Sequence, residues 1–174
     1  MSDMLTDFAQ WIAASPSRVH VADLMRQVPS LAPILQTIHL LSVAAVMASI
    51  VMVDLRVLGL AAPSQKTDEM LRRLMPWTWG ALVALLLSGV PIVLVKPVTY
   101  ASNPVFRLKF LLLIPAVALA IWFYRRSRRE PNYWGSSPRR IVHAKAIAAL
   151  SLLLWLGVVL AGRWIAYAYV LSPR

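Results

Sequence analysis

Cysteine is absent from this 174-residue chain. That excludes disulfides, thiolate zinc sites, iron–sulfur clusters and a CxxCH haem attachment. Charge is scarce as well. Only 14% of residues are charged, against about 25% in soluble domains. Acidic residues number 7. No pair of acids lies in an apolar stretch, and GxSxG, HExxH and a glycine-rich phosphate loop are all missing. The usual hydrolase and nucleotide-binding signatures are therefore lacking. Gly at 6 and Pro at 12 are too few for a low-complexity chain. Apolar residues make up 59%, and mean hydropathy is +0.66. These values exclude disorder and an ordinary cytosolic domain. An integral membrane protein remains.

Lys and Arg total 18, and the net charge is +11. In a soluble chain this would suggest nucleic acid. In a membrane protein the positive-inside bias and anionic lipid head groups account for it, so no nucleic-acid partner is expected.

Four apolar runs are long enough to span a bilayer, at about 31–53, 76–95, 104–124 and 147–170. None alternates like a barrel strand. Ser30 and Asn103 are expected N-caps, with Pro33 and Pro104 in the first turns behind them. The fourth helix is expected to start earlier than its apolar run, at Ser137–Pro138. Residues 1–30 are too charged for a cleaved signal. They read as two amphipathic pieces parted by Ser15-Pro16. Met4, Leu5, Phe8, Trp11 and Ile12 line one face of the first; Val21, Leu24, Met25 and Val28 line one face of the second. Both pieces are expected on the bilayer surface or capping the bundle.

Short links between an even number of spans predict an all-α, antiparallel four-helix transmembrane bundle at 31–174. Small residues four apart predict close helix contacts: Ala44 and Ala48, Gly157 and Ala161, Gly162 and Ala166. Pro91 and Pro115 predict bends. The first link carries Arg56, Lys66, Arg72 and Arg73. The third carries Arg125, Arg126, Arg128, Arg129, Arg139, Arg140 and Lys145. These eleven cations outnumber the seven on the opposite side. Both termini are therefore expected on the periplasmic side of a bacterial inner membrane. The segment from Arg125 to Lys145 is expected to be exposed and to bind anionic lipid or a partner, with Tyr133 and Trp134 at head-group level.

Ionisable residues at membrane depth are the strongest functional signal. His39 lies eight residues into the first run, about 12 Å along the axis from its outer end. Its bland role is a neutral histidine bonded to a neighbour; its sharper role is an axial ligand of haem iron. Lys109 and Arg107 open the third span at the same outer side, and Arg163 closes the fourth. This cation cluster suits an anionic ligand, such as haem propionates or lipid phosphate. A second group, Asp54, Arg56, Tyr124 and His143, lies at the inner ends, where a structural role is expected for Asp54 and Arg56. His143 is the second candidate ligand. His39 and His143 differ in depth by roughly 15–20 Å, so they cannot share one iron. His39 with Lys109, His39 with His20, or one haem per histidine all stay open.

The segments Ile38-His39-Leu40-Leu41, Val53-Asp54-Leu55-Arg56-Val57-Leu58-Gly59, Met75-Pro76-Trp77-Thr78-Trp79-Gly80, Asn103-Pro104-Val105-Phe106-Arg107-Leu108-Lys109, Leu154-Trp155-Leu156-Gly157 and Gly162-Arg163-Trp164-Ile165-Ala166-Tyr167 occur in fixed order. In this the chain resembles an uncharacterised bacterial family of four-helix membrane proteins. More distantly it is similar to CopD-type copper-resistance domains and to the HemJ-type protoporphyrinogen oxidase. The latter resemblance implies bound haem, with His39 and Lys109 at the positions of the functional pair. Where the uncharacterised family has a histidine near the end of the third span, this chain has Tyr124.

Three functions compete on this basis. One is a b-type haem protein that transfers electrons or oxidises a porphyrin- or quinone-like substrate. A non-catalytic anchor or subunit of a larger membrane or periplasmic complex, or a homo-oligomer, is the second. The third is a CopD-like copper or solute transport domain, although the methionines form no ligand ladder for soft Cu(I).

Overall fold

The computed structural model describes residues 2–130, 133–165 and 167. Two short helices, α1 (Ser2–Ala13) and α2 (Pro16–Gln27), precede four long ones: α3 (Leu31–Leu58), α4 (Thr67–Val95), α6 (Pro104–Arg129) and α7 (Pro138–Trp164). A six-residue α5 (Pro97–Ser102) joins α4 to α6, and a 3-10 turn at Tyr133–Gly135 precedes α7. No strand occurs among the described residues.

All four long helices are apolar and long enough to cross a membrane. Their packing is what a lipid solvent dictates. Leucines such as Leu40, Leu41, Leu86, Leu87, Leu111 and Leu153 face outward. Ser42, Ser49, Thr78, Ser88, Ser151, Ala116, Ala144, Ala148 and Ala161 are buried. Lipid tails are as apolar as leucine, so little is gained by turning leucines inward. Small residues inside let backbones approach. Buried hydroxyls must be satisfied locally. Ser42 donates to Ile38 O at 2.7 Å, Ser49 to Ala45 O at 2.9 Å and Thr78 to Leu74 O at 3.2 Å.

α3 lies at the centre, packed along α4 on one side and α7 on the other; α6 packs on α7. α4 and α6 scarcely meet. Neighbours run antiparallel: His39, early in α3, meets Ser88, late in α4. α1 rests on α5 and α2 on α4. The side chains of Met4 and Leu5, Ala166, residues 168–170 of the expected fourth span and Arg174 lie outside the described residues.

Each helix overshoots its apolar run. α3 continues through Asp54 and Arg56 to Leu58, α4 begins at Thr67 and α6 runs on to Arg129. A helix of 28 residues is about 42 Å long, against a hydrocarbon core of about 30 Å. The overshoot is the part in the head groups. α3 ends at Gly59, whose φ of 83° is left-handed. Leu60 N then reaches back to Leu55 O at 2.9 Å.

Three local expectations need correction. Asn103 caps α6 through Val105 N and Phe106 N, and Ser137 caps α7, but Ser30 is itself helical and caps nothing. Ala44 and Ala48 face outward, whereas Gly157 does mark a close contact: a Cβ there would lie 3.0 Å from Leu112 Cδ1. Finally, Trp134 is not exposed, contrary to the expectation for the segment around it. It is 8% exposed and stacked on Phe123, with ring centroids 4.6 Å apart. Its Nε1 donates to Ser127 Oγ at 2.8 Å. The start of the α6–α7 link is thus folded onto the helix ends instead of standing free.

Candidate functional site

The residues of interest divide between the two ends of the bundle. At the outer end, α3 carries His39 and α4 carries Ser88 and Gly89. Ser88 lies seven residues before the end of α4, about 10 Å along its axis. That depth matches His39, and the two side chains meet: Nδ1 of His39 lies 3.1 Å from Ser88 Oγ. Gly89 makes the approach possible. A Cβ there would sit 3.1 Å from His39 Cε1, closer than side chains normally pack.

Ser88 Oγ also lies 2.6 Å from Ala84 O and 3.3 Å from Leu85 O. With its proton on Ala84 O, the hydroxyl accepts from an Nδ1–H of His39, and in that tautomer Nε2 keeps its lone pair. Metal-bound histidines are held in this way, with one ring N–H tied to a fixed acceptor.

Lys109, from α6, closes the same region. Its ammonium is near enough to act electrostatically on His39. It runs alongside Gly162 of α7, with Nζ 3.8 Å from where a Cβ would stand. A larger residue at 162 would take this space. The bundle thus brings His39 and Lys109 together, as their sequence depths require. Arg107 donates from Nε to Ala101 O at 2.8 Å, which ties it to the end of α5. Arg163 is exposed and reaches Tyr167 Oη at 3.1 Å. His20 is exposed on α2.

The expected inner group does not form one site. Arg56 donates to the Gln65 carbonyl in the α3–α4 loop. Tyr124 packs edge-on to Trp79, and His143 is exposed on α7. Asp54 is only 8% exposed and hydrogen-bonds to Ser151 of α7. Its Oδ2 has no hydrogen-bond partner among the described residues. A cavity of about 20 Å³ lies between Asp54, Ser151, Leu71, Met75 and Phe123. That is room for one water, which would satisfy the carboxyl oxygen. Among the described residues no three His, Asp or Glu side chains gather to hold a metal ion.

Sequence reasoning found His39 and Lys109 but passed over Ser88 and Gly89. The available signal was depth: Ser88 is a hydroxyl at the level of His39 on the next helix. That it faces His39 depends on the rotation of α4, which an apolar run does not encode.

The fold and site define a four-helix membrane bundle with a half-buried histidine hydrogen-bonded to Ser88 and a lysine within electrostatic reach of it. The chain belongs to the family of unknown function DUF6644, whose model matches residues 28–168. No curated protein and no solved structure matches it significantly.

Proposed function

We propose that this chain is a haem b protein of the bacterial inner membrane that transfers electrons or oxidises a porphyrin- or quinone-like substrate. The 3.1 Å contact between His39 Nδ1 and Ser88 Oγ carries the reading, because an Nδ1–H held there leaves Nε2 free to ligate. Bound haem would supply a one-electron iron couple. The chain's own residues would do the rest. Ser88 would hold the imidazole in one orientation. Lys109 would either ligate the iron as a neutral amine or, as a cation, pair with a propionate. Arg107 and Arg163, near the outer mouth, are placed for the carboxylates. The resemblance to the HemJ-type oxidase supports the same pair, His39 and Lys109.

The test is colour. Protein purified after expression with ample haem supply is expected to show a Soret band and, on reduction, sharpened visible bands. Colourless protein would overturn the proposal and favour a non-catalytic anchor; copper in its place would favour the CopD-like reading.

The eleven inner cations support a cytoplasmic location for the α3–α4 and α6–α7 links, with both termini periplasmic. Reporter fusions after Leu60 and after Arg129 are expected to report cytoplasm. A periplasmic signal from either would reverse the orientation.

A further inference from the structure

α4 and α6 scarcely meet, and a cleft of about 510 Å³ is lined by Trp79 of α4 and by Ile121, Tyr124, Arg125, Arg128 and Arg129 of α6. Five of these six come from one face of α6, at the spacing of successive turns. Along that face the chemistry changes in order. Ile121 is apolar. Tyr124 follows, its ring set edge-on to Trp79 with centroids 6.4 Å apart. Arg128 lies over the Tyr124 ring at 5.9 Å, beside Arg125 and Arg129. From Ile121 to Arg128 is about 10 Å along the axis. That step matches the one from the upper acyl chain of a phospholipid to its phosphate.

The neighbouring charges sharpen the point. Glu130, the next acid in the chain, is paired with Arg126 at 3.1 Å. Arg126 lies over Tyr133 at 4.0 Å, on the side of the α6–α7 link. The acid nearest in sequence is thus engaged outside the cleft, and three exposed guanidinium groups line its rim. The two helices that line the cleft also carry exposed Trp77, Val83 and Trp122. An occupant must therefore be amphiphilic, anionic at one end and able to enter from the bilayer.

We propose that the α4–α6 cleft binds an anionic phospholipid, with its phosphate on Arg125, Arg128 and Arg129 and an acyl chain along Ile121 and Trp79. The orientation proposed above names the leaflet as cytoplasmic; the binding itself does not depend on it. Basic pockets between transmembrane helices at that face are a recurrent form of lipid recognition. Neutral phospholipid lacks the net charge that three arginines select.

The experiment is competition in native mass spectrometry, with full-length protein offered equal phosphatidylglycerol and phosphatidylcholine. Wild type is expected to prefer phosphatidylglycerol by roughly fivefold for each engaged arginine. Arg125→Gln with Arg128→Gln removes two charges inside the cleft and is expected to abolish most of the preference. Arg139→Gln with Lys145→Gln removes the same charge elsewhere on the inner face and is expected to leave it. Equal loss in both double variants means diffuse attraction and overturns the site, as does absence of preference in wild type. Phosphatidylglycerol with brominated chains places the acyl end: it is expected to quench a tryptophan component that Trp79→Phe removes. Unchanged quenching in that variant also overturns the proposal. Arg129→Gln alone serves in place of the first double variant if that one does not fold.

Discussion

Replacing His39 by alanine is expected to empty the proposed haem site: the Soret band disappears while the protein remains folded and in the membrane. The side chain is half-buried in a span, and its removal leaves Lys109 as the nearest candidate ligand. A single amine on a flexible stem does not replace a fixed imidazole. Imidazole added to the medium is expected to restore part of the band in the alanine variant, a rescue that a purely structural histidine does not predict. Ser88→Ala tests the orientation argument separately. It keeps the proposed ligand and removes the hydroxyl that lies 3.1 Å from Nδ1. Loss of such an orienting partner costs roughly 10–100-fold in metal affinity. Weaker haem retention with a shifted reduction potential is therefore expected. Unchanged haem content and an unchanged reduced spectrum in His39→Ala would sink the assignment and move the ligand to His143 or His20.

The largest stability effect is expected outside the span, at Trp134. Its ring stacks on Phe123 at an interplanar angle of 8° and meets the edges of Trp122 and Tyr133. Truncating a buried tryptophan to alanine costs about 3–5 kcal/mol. For a chain of this size that is a fall in Tm of roughly 10 °C, read in mild detergent by a thermal shift assay. Trp134→Phe keeps the stack and loses only the bond to Ser127, for about 1 kcal/mol. Trp77 supplies the contrast, since it is 73% exposed to the lipid side. Trp77→Ala is expected to change Tm little. Equal shifts for Trp134→Ala and Trp77→Ala would show that the stack does not hold the link in place.

Most of the architecture was legible because bilayer thickness fixes how long an apolar run must be. The four runs, their polar caps at Asn103 and Ser137, and the break at Ser15-Pro16 are all local features. Depth was legible for the same reason: at 1.5 Å per residue, the positions of His39 and Lys109 along their helices placed them at one level. Rotation was not. Both faces of a span are apolar, so hydrophobic pattern does not show which face turns inward. Hence Ala44 and Ala48, expected at a contact, face outward, while Gly157 and Gly162 do face a neighbour. Ser88 and Gly89 became site residues only once α4 was rotated against α3. Likewise Asp54 became a buried carboxyl only through its contact with Ser151, 97 positions along the chain.

The sequence by itself therefore determined the class of the protein, the number and approximate ends of its spans, and the depth of each ionisable side chain. Tertiary structure decided which groups meet: His39 with Ser88, Lys109 with Gly162, Trp134 with Phe123. It also decided that α4 and α6 scarcely meet. The physical reason is that composition and length fix how each helix partitions into lipid, one helix at a time. Contacts between helices depend on small-residue shape and hydrogen bonds, which acquire meaning only when two backbones are already side by side.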